Sequence, residues 1–96
     1  MASNFRVFTT RNSDTLHLKL MGDFDGTSAF QVVDILKRNC FGAHRVIFHT
    51  NSLAHIHPFG IRVFQHNLSE IDRHSLQFCF TGDNAAAIAP LNSVCL

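Results

Sequence analysis

Three histidines stand close together near the middle of the chain, in the stretch His49-Thr50-Asn51-Ser52-Leu53-Ala54-His55-Ile56-His57-Pro58-Phe59-Gly60. Imidazole nitrogen suits borderline divalent metals. In an extended segment His55 and His57 would point the same way, so with His49 they could form a three-nitrogen site for zinc or nickel. A His-x-His pair without a neighbouring Cys or carboxylate is an incomplete ligand set, because structural zinc sites draw on four ligands. The competing reading is of three separate polar residues with Ile56 turned into the core, and it is the one the pattern favours.

Other chemistry is sparse. No GxxxxGK[ST], GxGxxG, GxSxG or HExxH motif occurs, and none of the seven carboxylates forms an evident close pair. The chain is therefore not expected to be an enzyme, and no cofactor is expected. Cys40, Cys79 and Cys95 are odd in number, widely spaced and without a CxxC pair, which argues against a disulfide framework and against a zinc knuckle. Cys40 and Cys79 read as small packing residues, and Cys95 as a more exposed one.

The elements that must carry these residues fit in a single domain over 1–96, because 96 residues with 46% hydrophobic content and ten Phe suffice for one buried core. Eight Lys and Arg balance seven Asp and Glu with no run of like charge, so neither nucleic acid nor an anionic membrane is an expected partner. No apolar stretch approaches the roughly 20 residues of a membrane span. The start lacks the apolar core of a secretory signal. A soluble, cytoplasmic protein without membrane insertion is expected.

Aromatic and β-branched residues at 5–10 predict a first strand, and Arg11-Asn12-Ser13-Asp14 supplies turn chemistry. Leu16, Leu18 and Leu20 alternate with His17, Lys19 and Met21, the period of a strand with one buried face, so the first two strands should form a hairpin. Ala29, Val32, Val33, Leu36 and Cys40 then mark one face of a helix at about 28–40, capped by Thr27 or Ser28 and followed by Gly42. Val46-Ile47-Phe48 reads as a short central strand. Pro58 suits the first turn of a second helix, whose stripe of Ile61, Phe64, Leu68 and Ile71 runs towards Asp72. Leu76, Phe78 and Phe80 predict another strand, and 85–89 a short helix stopped at Pro90. The order β-β-α-β-α-β-α implies an α/β domain, a mixed sheet of four to five strands packed against helices, with parallel pairing after the hairpin. Gly22, Gly60 and Gly82 are expected at turns or close approaches.

The same residues carry a family resemblance. Leu18-Lys19-Leu20-Met21-Gly22-Asp23-Phe24-Asp25 with Ser28-Ala29 opening a helix, then Val46-Ile47-Phe48, then Ile56-His57-Pro58-Phe59-Gly60-Ile61, and finally Leu76-Gln77-Phe78-Cys79-Phe80-Thr81-Gly82 together resemble a STAS domain. That fold is shared by bacterial anti-sigma factor antagonists and the tails of sulfate transporters. The resemblance covers about three quarters of the chain and implies a non-catalytic, bacterial signalling module that regulates transcription by binding a protein, either a kinase-like anti-sigma factor or another signalling protein. It implies a partner surface around the start of the second helix, made here by His57, Pro58, Phe59, Gly60, Arg62, Gln65 and His66, with Ser69 at its border.

In the family the turn before that helix reads Asp-Ser-Ser-Gly, and a serine there is phosphorylated, which adds charge where helix amides can stabilise it. Here the four positions read His57-Pro58-Phe59-Gly60, so only the glycine matches and no phosphoacceptor is expected at the usual position. A second family aspartate falls on His49, and Thr50 and Ser52 are hydroxyls outside the acceptor position. Imidazole is a poor substitute for aspartate at a helix start. A neutral His57 could accept an amide hydrogen bond and a protonated one could not, so acidification is expected to weaken this turn. Three alternatives remain open: a metal or small-ligand domain using His49, His55 and His57, an accessory subunit of a transporter, and a homodimer formed through an edge strand or helix.

Overall fold

Alternating Leu16, Leu18 and Leu20 build the strand Thr15–Phe24 (β2), and each of these leucines is fully buried while His17, Lys19 and Met21 turn the other way. In a computed structural model of the chain, which describes residues 4–71 and 76–90 and the backbone of 94–95, β2 pairs antiparallel with Arg6–Asn12 (β1). The strand β1 extends two residues past the expected limit, because Arg11 and Asn12 continue the ladder opposite Leu16 and Thr15. Only Ser13 and Asp14 are left to turn, Ser13 with φ +57°.

The helix Gly26–Asn39 (α1) follows at once. Its N-cap is Asp25 rather than Thr27 or Ser28, since the Asp25 carboxylate reaches the Ser28 backbone N–H at 2.8 Å. Ser28 is itself buried inside the first turn, where its hydroxyl donates to the Asp23 carbonyl at 2.8 Å. At the other end of α1 the Arg11 guanidinium donates to the Phe41 and Asn39 carbonyls, bringing positive charge to the negative pole of the helix.

The third strand is much longer than expected. Arg45–Ile56 (β3) continues through the stretch read as a connection, because its backbone keeps pairing in parallel with β2 as far as Phe24 and Ile56. It does so through two register shifts, one of them between the pairs Lys19–His49 and Met21–Ser52. Pro58–Ser69 (α2), Gln77–Thr81 (β4), Ala85–Ile88 (α3) and Val94–Cys95 (β5) complete a five-stranded sheet in the order β1-β2-β3-β4-β5, parallel from β2 onwards. This is the expected mixed α/β sheet, with a fifth strand at its edge. Asp72 and the side chain of Cys95 lie outside the described residues.

The buried residues of α1, α2 and α3 form one cluster with one set of alternate strand residues: Leu16, Leu18, Leu20, Val46, Phe48, Phe78 and Phe80. The three helices therefore cover one face of the sheet. Phe64 of α2 stands edge-on to Phe24, Phe48 and Phe80, at centroid distances of 5.5, 5.4 and 6.0 Å, a geometry worth about 0.5–1.5 kcal/mol per pair beyond area burial. These contacts fix where the start of α2 stands. Cys40 and Cys79 are free thiols, half-buried and buried respectively.

Candidate functional site

Ile56 turns inward against the core, as its apolar character requires, and the chain passes directly into α2. Pro58 occupies the first turn and the His57 backbone N–H donates to the Phe24 carbonyl at 2.9 Å, fastening the helix start to the end of β2. His57 has the extended φ and ψ of an N-cap, but its side chain makes no capping hydrogen bond. The expected imidazole acceptor is thus not formed, and the backbone bond to Phe24 with proline at the helix entry sets this turn instead.

Around this start the proposed contact residues divide. His57, Pro58, Phe59, Arg62 and His66 are exposed. Gly60 is buried: a Cβ there would lie 2.8 Å from the Asp25 carbonyl carbon and oxygen and from the Phe24 oxygen. It permits the helix to approach the β2–α1 turn and presents no side chain to a partner. Gln65 is half-buried and donates to the Ile88 carbonyl at 3.0 Å, so it ties α2 to α3 rather than facing outward. Ser69 donates to the His66 carbonyl within its own helix.

Phe59 is 67% exposed, and its ring covers Gly26 at the start of α1. Phe30, one turn further along α1, is 58% exposed. The beginnings of α1 and α2 therefore each display a large exposed aromatic side chain, and on α2 the exposed Arg62 and His66 follow Phe59 at helical spacing. Sequence reasoning found Phe59 and missed Phe30, which lies off the buried stripe of α1 and could have been noticed as an aromatic residue at a solvent position.

The structure does not gather the three central histidines. His49 lies within β3 between Lys19 of β2 and Thr81 of β4, His55 pairs with Asp23, and His57 stands at the N-cap position of α2. Among the described residues no group of three or more His, Cys, Asp or Glu side chains could hold a metal ion. His49 is paired instead with His17, which sequence reasoning did not single out: His17 Nδ1 and His49 Nε2 are 2.9 Å apart. Burial first, and then the charges of His17 and Lys19, lower the pKa of His49 below its ordinary value of 6.5.

No protein-family model and no curated protein sequence matches the chain. Solved structures do. The anti-sigma factor antagonist SpoIIAA, in its unphosphorylated form, superposes with a TM-score of 0.68 at 11% identity over 96% of this chain and 86% of its own. This chain has a STAS-like, SpoIIAA-like fold. A protein of the DUF3478 family from Shewanella loihica PV-4, also with a SpoIIAA-like fold, matches with a TM-score of 0.64 at 11% identity, over 100% of this chain and 87% of that one. The protein Mglu matches with a TM-score of 0.68 at 18% identity over 91% of this chain, which spans only 20% of Mglu. At these identities the likeness to SpoIIAA is one of architecture. No helix among the described residues is long and apolar enough to cross a membrane.

Proposed function

We propose that the chain is a non-catalytic protein-interaction module of the STAS type, cytoplasmic and bacterial, which regulates a sigma factor or signalling complex by binding a kinase-like anti-sigma factor or related signalling protein. The observation that carries this reading is the pair of exposed aromatic rings, Phe59 and Phe30, at the starts of α2 and α1. Large apolar side chains on an otherwise polar surface are the anchors that supply most of the energy of protein association. Arg62, His66 and His57 give the patch its polar rim. With proline and phenylalanine at 58 and 59, binding is not controlled by phosphorylation at those positions.

The test is affinity capture from native lysate with the wild-type chain and with Phe59→Asp, after showing that both have the same thermal midpoint. The reading expects a kinase-like regulatory protein to be retained by the wild type and released by the variant. Equal retention by both chains would move the contact surface away from α2.

A further inference from the structure

With the three helices on one side, the other face of the sheet is built from the alternate residues of its strands. Phe8, Thr10 and Asn12 of β1, His17 and Lys19 of β2, and His49, Asn51 and Ser52 of β3 line a shallow groove of about 500 Å³ on that face. A β-bulge assembles it. Strict alternation after His49 would give Asn51 to this face and Ser52 to the other, whereas the register shift opposite Leu20 lets both line the groove. The bulge is latched from the end of β4 and the turn after it, since Thr50 Oγ1 donates to the Thr81 carbonyl at 2.9 Å, Asn84 Nδ2 to the Thr50 carbonyl at 2.9 Å and the Asp83 backbone N–H to Asn51 Oδ1 at 2.8 Å. With its oxygen so engaged, Asn51 has its N–H₂ end to offer a ligand.

At the centre of the groove the two imidazoles lie within 18° of one plane with centroids 5.2 Å apart. A nitrogen separation of 2.9 Å is then about the smallest that rings at this centroid distance can reach, so the nitrogens lie on the line between the centroids. The rings meet edge to edge through an N–H···N bond. No metal ion fits between nitrogens so placed, but one proton does. In the neutral pair one ring donates inward and the other carries its proton outward; a first added proton goes to the remaining outer nitrogen and leaves the inner bond intact. The pair then bears one positive charge and two outward donors. A second proton would set two N–H groups against each other across the 2.9 Å contact.

The groove is lined by the cation Lys19, this histidine pair, two carboxamides and two hydroxyls, without a carboxylate, and Phe8 stands 57% exposed at its side. We propose that it is a binding site for a small planar carboxylate, with Lys19 as counter-charge, Phe8 as the apolar wall and the His17–His49 pair taking up one proton as the ligand enters. The site is on the opposite side of the sheet from Phe59 and does not depend on the partner-binding reading. The other groups on this face near the pair are Arg45 of β3, two residues before Ile47, the ladder partner of His17; Arg6 of β1, two residues before Phe8, the ladder partner of Lys19; and Thr81 and Cys79 of β4, opposite His49 and Ile47. Asp83 follows β4 beside Asn51. Burial, His17 and Lys19 disfavour the charged form of His49, and a bound carboxylate would offset that. Affinity therefore rises as pH falls, by up to about tenfold per pH unit for one proton taken up.

Benzoate is the probe, with neutral benzamide as its isostere, followed by NMR on the wild-type chain at about pH 5.5 and about pH 8. Benzoate should shift the resonances of Phe8, Lys19, His49 and Asn51, several-fold more tightly at the lower pH, and benzamide should bind much more weakly. Lys19→Gln, an exposed change that leaves the fold intact, should weaken benzoate at both pH values, and the double variant His17→Gln with His49→Gln should abolish the pH dependence. Equal binding of benzamide and benzoate, affinity independent of pH, or an undiminished response in Lys19→Gln would each overturn the proposal.

Discussion

The Phe59 ring lies directly over Gly26: a Cβ built on that glycine would come within 2.8 Å of Phe59 Cε2 and 2.9 Å of Cδ2. The missing side chain at the start of α1 is what lets an exposed aromatic ring settle against a neighbouring helix. Because the obstructing atoms belong to a side chain that can rotate, Gly26→Ala should leave stability within about 1 kcal/mol of wild type, the helix propensity of alanine offsetting the displaced contact. Partner capture should nevertheless weaken as the ring turns away. Denaturant midpoints and capture measured on the same sample separate the two effects, and unchanged capture would show that the ring's position does not matter.

Gly60 makes the opposite case. All three nearest atoms to its virtual Cβ, at 2.8 Å, are backbone atoms of Phe24 and Asp25, which cannot rotate away. Gly60→Ala should therefore destabilise the chain by about 1–3 kcal/mol, the usual cost of overpacking, with no gain from alanine's helix propensity able to hide it. Urea unfolding measures this directly, and a loss smaller than that of Gly26→Ala would contradict the close approach of α2 to the β2–α1 turn.

The uncapped start of α2 can be repaired. His57 supplies no side-chain acceptor, so His57→Asp should stabilise the chain by about 0.5–2 kcal/mol through a capping bond and a favourable charge at the helix N-terminus. The gain should fade at acid pH as the new carboxylate protonates. Thermal midpoints of the two chains across pH test this, and equal midpoints near neutrality would mean that the backbone bond to Phe24 already saturates the turn.

His49 contributes an acid sensitivity whose sign follows from its lowered pKa. The unfolded chain takes up a proton more readily than the folded one, so this stability is fully present above the ordinary value of 6.5 and is lost as pH falls from there through the depressed folded value. His49→Gln should flatten the stability profile across that window. Lys19→Met removes one of the charges that oppose protonation and should raise the His49 titration midpoint seen by NMR. A midpoint that does not move would assign the depression to burial and His17 alone.

Much of the architecture was legible because it rests on strict periodicities. The leucines at 16, 18 and 20 announce β2, the stripe through Phe64 and Leu68 announces α2, and Pro58 marks its first turn. The site was less legible. Whether Phe59 is a core or a surface residue depends on how close α2 comes to α1, which Gly26 and Gly60 decide from opposite sides of the contact. The extension of β3 to Ile56 was hidden because its outer half is polar and carries a bulge, so it imitates a loop. His17 and His49 lie 32 positions apart, and only the parallel register of β2 and β3 makes them neighbours. No local pattern encodes that register.

The central claim is that the starts of α1 and α2 form a protein-binding surface, and site-directed photocrosslinking tests it most directly. A photoreactive phenylalanine analogue is placed in turn at Phe59, at Phe30 and, as a control, at Phe41, which is 80% exposed in the turn after α1. Irradiation in native lysate should give one discrete adduct with the same regulatory protein from positions 59 and 30, and none from 41. Adducts from 41 as strong as those from 59, or none from 59 and 30 while the chain is folded, would contradict the account.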